Sequence, residues 1–284
     1  MHTVMNVLAQ GLSLGAVYLL SALGLTVIYG VMGVVNLAHG ELLMIGSYVV
    51  ALTAGTLSVP GSIVLAFVGV GALGVLLDAV LIRFLYHRPV ESMLATWGLG
   101  MVIRQVVILL FGTELRYVAL PIASSFAIGF GASLQWWRLV LIVCGITAAV
   151  GLGAVIARTT FGMQMRAVIA NPGIAESLGV RSAHINRWAF ALGCGLAGLA
   201  GALVAPLRTV FPNMGVPYLV GAFLVVVLAG LGSVRAAIFW SIAVGIAFAA
   251  VAVPVSDTLA SIVVWCGALV IIAARRRPVV VARV

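Results

Sequence analysis

The sequence predicts an all-α, polytopic transmembrane helix bundle of about 8–9 spans with a broken second span. Three observations carry this expectation. The chain has 284 residues, 64% of them hydrophobic and only 7% charged, where soluble domains carry roughly 25% charged residues. Apolar stretches near the ~20 residues needed to cross a bilayer recur along nearly the whole length. The second stretch opens on Asn-Leu-Ala-His-Gly-Glu at 36–41, an amide, an imidazole and a carboxylate among residues that are otherwise apolar. A transmembrane barrel would instead show segments of about ten residues alternating in polarity.

The apolar runs place spans at 5–30, 37–57, 62–83, 92–112, 136–157, 185–206, 218–234, 236–254 and 258–274. The first lacks a basic region ahead of it, so it reads as a retained helix rather than a cleaved signal peptide. The second has two readings that stay open together. Asn36 suits a helix N-cap, with Gly40 marking a break and Glu41 in the first turn, where the helix dipole favours an anion. A discontinuous helix is also how transporters build a polar midplane site, and intramembrane polar groups default to function. Asp78 ends the third span near Arg83 as an interfacial charge.

Arg104, beside Gln105, sits in the fourth span, with Thr96 and Trp97 two turns nearer its start. An arginine at a helix centre costs roughly 2.5–3.5 kcal/mol on an insertion scale, and each Leu, Ile, Val or Phe returns about 0.3–0.6. The apolar residues of this span offset that cost, so Arg104 faces protein or water, or snorkels outward. Packing and pathway roles both remain open for it.

An external loop at 113–135 follows, and Trp136, Trp137 and Arg138 read as an interfacial anchor for the fifth span. The largest internal connection is 158–187. Within it, 161–170 is helix-compatible, Asn171-Pro172-Gly173 is a strong turn signal, and a short helix with Ile174, Ala175, Leu178 and Val180 on its apolar face ends at Gly179, placed as a C-cap. Such a knob suits a partner's groove. Paired small residues, Gly11 and Gly15, Gly71 and Gly74, and Gly193, Gly195, Gly198 and Gly201, predict close helix packing in lipid. The run at 218–234 is short, and a Gly-Leu-Gly-Ser turn at 230–233 leads into the next, as in a re-entrant or tight helical pair. With the irregular stretch at 212–217, the broken second span would fit an inverted repeat.

Arginine bias sets the orientation. One side collects Arg83, Arg88, Arg158, Arg166, Arg181, Arg187, Arg235, Arg275, Arg276, Arg277 and Arg283; the other collects Arg116, Arg138 and Arg208. The richer side is cytoplasmic, with the C-terminus inside and the N-terminus outside. All fifteen basic residues are arginine. A phosphate-cradling P-loop requires lysine, so energy from ATP must come through a partner. Cys144, Cys194 and Cys266 lie in apolar runs without metal spacing and read as small core residues. No catalytic triad, paired acids or metal cluster is visible, and His39 and Glu41, two residues apart, cannot share a helical face. The chain is expected to be no enzyme and to use no cofactor, with lipid rather than nucleic acid around it.

Four stretches carry a resemblance: Gly-Val-Met-Gly-Val-Val-Asn-Leu-Ala-His-Gly-Glu at 30–41, Leu-Tyr-His-Arg-Pro at 85–89, Ala-Glu-Ser-Leu-Gly-Val at 175–180 and Phe-Leu-Val-Val-Val-Leu-Ala-Gly-Leu-Gly-Ser at 223–233. The chain resembles the permease subunits of branched-chain amino-acid ABC importers over nearly its whole length. Glu-Ser-Met-Leu-Ala-Thr-Trp-Gly-Leu-Gly at 91–100 is similar to the urea and short-chain amide branch. The resemblance implies a single transmembrane permease domain over 1–284 in the bacterial inner membrane, paired with a second related permease, cytoplasmic ATP-binding cassette subunits and a periplasmic solute-binding protein. It implies that the 36–41 stretch, with Asn36, His39 and Glu41, lies beside the substrate path; Thr96, Trp97, Arg104 and Gln105 join it as pathway candidates from their own place in the fourth span. It also implies an ATPase-coupling loop with Arg166, Asn171, Glu176 and Gly179. Two departures stand out: the family carries an apolar residue where Arg104 stands, and a Glu-Arg pair at Asp78 and Ala79. A proton-coupled transporter using His39, Glu41 or Asp78, and a passive channel, are the competing expectations.

Overall fold

The computed structural model describes residues 2–86, 88–122, 124–129, 132–230 and 233–274. The expected turn residues His87, Leu231 and Gly232, and Arg275, Arg276, Arg277 and Arg283 from the orientation count, lie outside them. Among the described residues the chain is a bundle of eleven helices and one small hairpin. The helices are α1 (His2–Met32), α2 (His39–Thr53), α3 (Val59–Val80), α4 (Pro89–Phe111), α5 (Trp136–Arg158), α6 (Thr160–Ala170), α7 (Pro172–Ser177), α8 (Ser182–Val204), α9 (Gly215–Ala229), α10 (Val234–Ala252) and α11 (Asp257–Ala274). A 3-10 turn, Ile82–Phe84, follows α3. Seven helices are long and apolar enough to cross a membrane. The other two expected spans, α2 and α9, have 15 residues each, about 22 Å of helix against a hydrocarbon core of about 30 Å.

α1 and α8 form the buried axis, and the other long helices turn most of their surface outward. Small residues decide which helices touch. A Cβ on Gly15 would lie 2.9 Å from the Ser241 carbonyl of α10, and one on Gly74 would lie 2.8 Å from Cys194 Cβ of α8. Gly46 of α2 abuts the Gly198 backbone, and Ser47 Oγ donates to the Gly201 carbonyl at 2.8 Å. The glycine series of 193–201 is therefore a surface against which α1, α2 and α3 are pressed. Cys194 is buried in that surface, while Cys266 is exposed, contrary to the expectation that all three cysteines are core residues. Its position on α11 leaves it on the outward face.

The broken second span differs from its expected form. The break falls at Gly33, whose φ of 65° is a left-handed conformation suited to glycine, and Gly40 lies inside α2. The cap position is Ala38, not Asn36. Asn36 Oδ1 instead accepts the Ala38 N–H at 3.0 Å, an Asx turn that launches the helix two residues later. Gly40 serves close approach: a Cβ there would lie 2.8 Å from the Gly215 carbonyl, so the first turns of the two short helices meet backbone to backbone.

At the end carrying Arg116, Arg138 and Arg208, the loop 113–135 is partly ordered. Strands β1 (Ser125–Gly129) and β2 (Ala132–Gln135) pair antiparallel, and Arg116 exchanges two 2.9 Å backbone hydrogen bonds with Val210. Trp137 is not an interfacial anchor. It is buried and donates Nε1–H to the Leu203 carbonyl at 3.0 Å, because the last carbonyls of α8 have no partner within their own helix. Trp136 is exposed and lies against Phe126, the two rings tilted at 43° with centroids 4.6 Å apart.

Gly46→Leu should force α2 off α8 and cost about 1–3 kcal/mol through overpacking, whereas Gly151→Leu, at a site with open space around it, should leave stability unchanged. Thermal melts of the two variants in mild detergent check the contrast.

Candidate functional site

The polar cluster is built around an unwound stretch of chain. His39 Nε2 lies 3.0 Å from the Ser21 carbonyl, eleven residues back from the end of α1 at Met32, or about 16 Å at helical rise. Residues 33–38, irregular and then turned at 37–38, cover that return, so the segment runs back along α1 and delivers His39 to its flank. A carbonyl only accepts, so Nε2 carries the hydrogen and Nδ1 is left as an acceptor.

Irregular backbone inside a membrane is tolerated only where protein satisfies its polar groups. Here α4 does so with two hydroxyls one turn apart. Ser92 Oγ accepts the Val35 N–H at 3.3 Å, and Thr96 Oγ1 accepts the Leu37 N–H at 3.0 Å. Thr96 Oγ1 also lies 3.1 Å from the Val35 carbonyl and 2.6 Å from the Ser92 carbonyl, so its one hydrogen serves one of these at a time. Ser92 escaped the sequence reading. Its signal was a Ser-x-x-x-Thr spacing on a span facing the 36–41 motif.

Glu41, buried in the first turn of α2, pairs with Arg104 of α4. Ser92, Thr96, Gly100 and Val107 share the buried face of α4. Trp97 and Gln105 lie on its exposed face and are not brought to the cluster; each is one residue past a member of the inward stripe, about 100° around the helix. His39 and Glu41 diverge as their spacing requires, one to α1 and the other to α4. Buried atoms without a partner among the described residues include Asn36 Nδ2, His39 Nδ1, Glu41 Oε2 and Arg104 Nε.

A second buried charge sits at the arginine-rich end. Asp78, expected beside Arg83, pairs instead with Arg187 of α8 at 3.2 Å and accepts from Tyr86. Arg83 turns away over the Phe84 ring. Burial, and then the hydrogen bond to Asp78, push the Tyr86 phenol above its ordinary range, so it stays a donor at any physiological pH. This triad ties α3, the 85–88 turn and α8 together.

The internal knob is α6 and α7. Thr159 caps α6 by accepting the Gly162 N–H, and Asn171 caps α7 by accepting the Ile174 N–H, both at 3.0 Å. Arg166 donates to the Ile156 carbonyl near the end of α5. Gly179, with φ 85°, closes α7: its N–H reaches the Glu176 carbonyl and the Val180 N–H the Ala175 carbonyl, the paired bonds of a Schellman motif. The expected apolar face is split. Ala175 is buried, while Ile174 and Leu178 are exposed, as is Met163 of α6. A cavity of about 520 Å³ beside the knob is lined by Glu176, Gly179, Arg181, His184 and Arg187 among others.

A bundle of apolar helices with a broken span held by a neighbour's hydroxyls defines a polytopic helical membrane protein. Comparison with known families makes this specific: residues 7–274 match the family described as branched-chain amino acid transport system, permease component, and the chain belongs to that family. It is thus a multi-pass inner-membrane permease subunit of an ABC importer, not an enzyme, and ATP hydrolysis belongs to ATP-binding partners. The chain is similar to the high-affinity branched-chain amino acid transport system permease protein BraD of Pseudomonas aeruginosa, at 27% identity over 84% of this chain and 83% of that protein. It is 30% identical to LivH of Escherichia coli K12, described in the same words, over 84% and 82%. It is 28% identical to a probable branched-chain amino acid transport permease, LivH of Methanocaldococcus jannaschii, over 80% and 74%. No solved structure matches the chain. Family membership displaces the secondary-transporter and passive-channel expectations.

Thr96→Val removes the acceptor for Leu37 N–H at unchanged size and should cost about 1–3 kcal/mol. Amide exchange at Leu37 in detergent should accelerate in that variant, while exchange in α8 stays slow.

Proposed function

We propose that the chain is one permease subunit, a single transmembrane domain, of an importer for a branched-chain amino acid. In this reading it is completed by a second related permease, ATP-binding cassette subunits on the arginine-rich side and a solute-binding protein on the other. The similarity to BraD and LivH over more than four fifths of both chains supports the substrate class. The asymmetry of arginines, with Arg83, Arg88, Arg158, Arg166, Arg181, Arg187 and Arg235 on one side, supports the placement of the ATPases.

The knob of α6 and α7 is the coupling element. Its caps at Thr159, Asn171 and Gly179 make it rigid, its exposed Ile174, Leu178 and Met163 offer an apolar contact, and Arg166 locks it to the end of α5. Movement of bound ATPases would be delivered through α5 and α8 to the packed axis, rocking the helices between two access states. Asn36, His39, Glu41, Thr96 and Arg104 border the path, close to where the two short helices meet at Gly40 and Gly215. Trp97 and Gln105 stand on the open face of α4, where they border the path only if a second permease closes over that face.

The test is ATP-dependent uptake of leucine by proteoliposomes holding this chain with its partner subunits, set against urea and a short-chain amide as competing solutes. Leucine uptake that requires ATP supports the reading; uptake of urea or the amide alone would assign the chain to the other branch. Gly179→Val, which strains a left-handed residue, should abolish uptake and solute-stimulated ATP hydrolysis while membrane insertion stays intact. Normal coupling in that variant would remove the knob from the mechanism.

A further inference from the structure

We infer that the Glu41–Arg104 pair recognises the charged ends of a zwitterionic solute by exchanging partners with it. The inference rests on the reading that the 36–41 region borders the path, and it names the chemistry of that site. The pair joins a buried helix to one whose outer face is open. The Glu41 side chain is 5% exposed and that of Arg104 is 30% exposed, so the guanidinium is reached first and the carboxylate behind it.

The pair is also incompletely bonded. Guanidinium and carboxylate geometry allows a two-bond fork, yet a single bond, from Arg104 Nη2 to Glu41 Oε1, joins them. Among the atoms outside that bond, Arg104 Nε as a donor and Glu41 Oε2 as an acceptor are buried without a partner among the described residues. Unused donor capacity on a cation beside unused acceptor capacity on an anion is the complement of an α-amino acid. Its carboxylate takes the donor and its ammonium gives to the acceptor.

Electrostatics restricts which solutes open the pair. Separating the two charges in a low-dielectric setting leaves each uncompensated, which is costly when one partner is simply removed. A zwitterion replaces both partners at once, and the net charge of the region stays zero throughout. An uncharged amide offers no full charge to either side and leaves the pair closed. The device thus adds a second selection step inside the membrane, acting on the backbone groups of the solute rather than on its side chain.

The experiment uses the complete transporter in proteoliposomes. Glu41→Gln with Arg104→Gln leaves no lone charge, so the double variant should insert and fold, yet import leucine at least about tenfold less efficiently, the effect of a lost charged hydrogen bond. The swapped pair, Glu41→Arg with Arg104→Glu, should regain most of the loss. A double variant that imports like the parent, or a swap no better than the double variant, overturns the proposal by making the pair a tie between helices. A readout without variants is the rate at which butanedione modifies Arg104 in the parent complex, followed by mass spectrometry. Saturating leucine should slow it and isovaleramide should not; equal rates with both would overturn the proposal. If the parent imports an uncharged amide and no amino acid, the substrate reading falls and this inference with it. If it imports leucine and the double variant does so equally well, only this inference falls.

Discussion

The structure depends on one constraint: residues 33–38 leave the helix in a place where water is not available to replace the lost backbone hydrogen bonds. Ser92 and Thr96 on α4 meet it by accepting the Val35 and Leu37 N–H groups, and Asn36 supplies the next acceptor itself. An unmet buried backbone group costs about 1–3 kcal/mol, so these three side chains together hold open a conformation that hydrocarbon alone would close. The consequence is a short α2 that begins beside the middle of α1 with His39 and Glu41 in its first turn. A continuous helix would have placed the same residues at other heights and on other neighbours.

Charge inside the bundle follows the same economy of partners. The two buried carboxylates, Glu41 and Asp78, each meet an arginine of another helix. Their surroundings differ. Asp78 has both oxygens engaged, by Arg187 and Tyr86, and clamps three segments at the arginine-rich end. Glu41 keeps one oxygen free beside a half-open arginine. The first arrangement is closed and suited to rigidity, which a platform transmitting motion from the knob requires. The second has valences to offer, which a transport path requires.

Glycine sets the distances over which these contacts work. Without a Cβ at 46, 74, 198 or 215 the backbones of α2, α3, α8 and α9 approach closely enough for carbonyls and hydroxyls to reach across, as Ser47 does to Gly201. Packing of this kind supplies in lipid what apolar burial supplies in water, because lipid tails offer no hydrophobic driving force between helices. The axis of α1 and α8 is small-residue-rich for that reason, and the outer helices present Val, Leu, Ile and Phe to the bilayer.

Local sequence alone determined the all-α membrane class, the order of the helices, the knob with its turn at 171–173 and its cap at Gly179, and the singular character of the 36–41 stretch, because each follows from local composition or from a residue's own backbone preference; that Asn171 caps α7 was decided by the structure. The glycine pairs also announced close packing, though not with whom. Partner identity was decided only by tertiary structure. Arg187 rather than Arg83 meets Asp78, Trp137 turns inward to the end of α8, Ser92 joins Thr96, and Trp97 and Gln105 face outward, all because helix rotation and neighbour placement are set by contacts between segments far apart in the chain. The position of the break is the clearest case: Asn36 looks like a cap and Gly40 like a hinge in one dimension, but the left-handed residue is Gly33, and the cap shifts to Ala38 because α4 hydroxyls hold the Val35 and Leu37 N–H groups outside the helix.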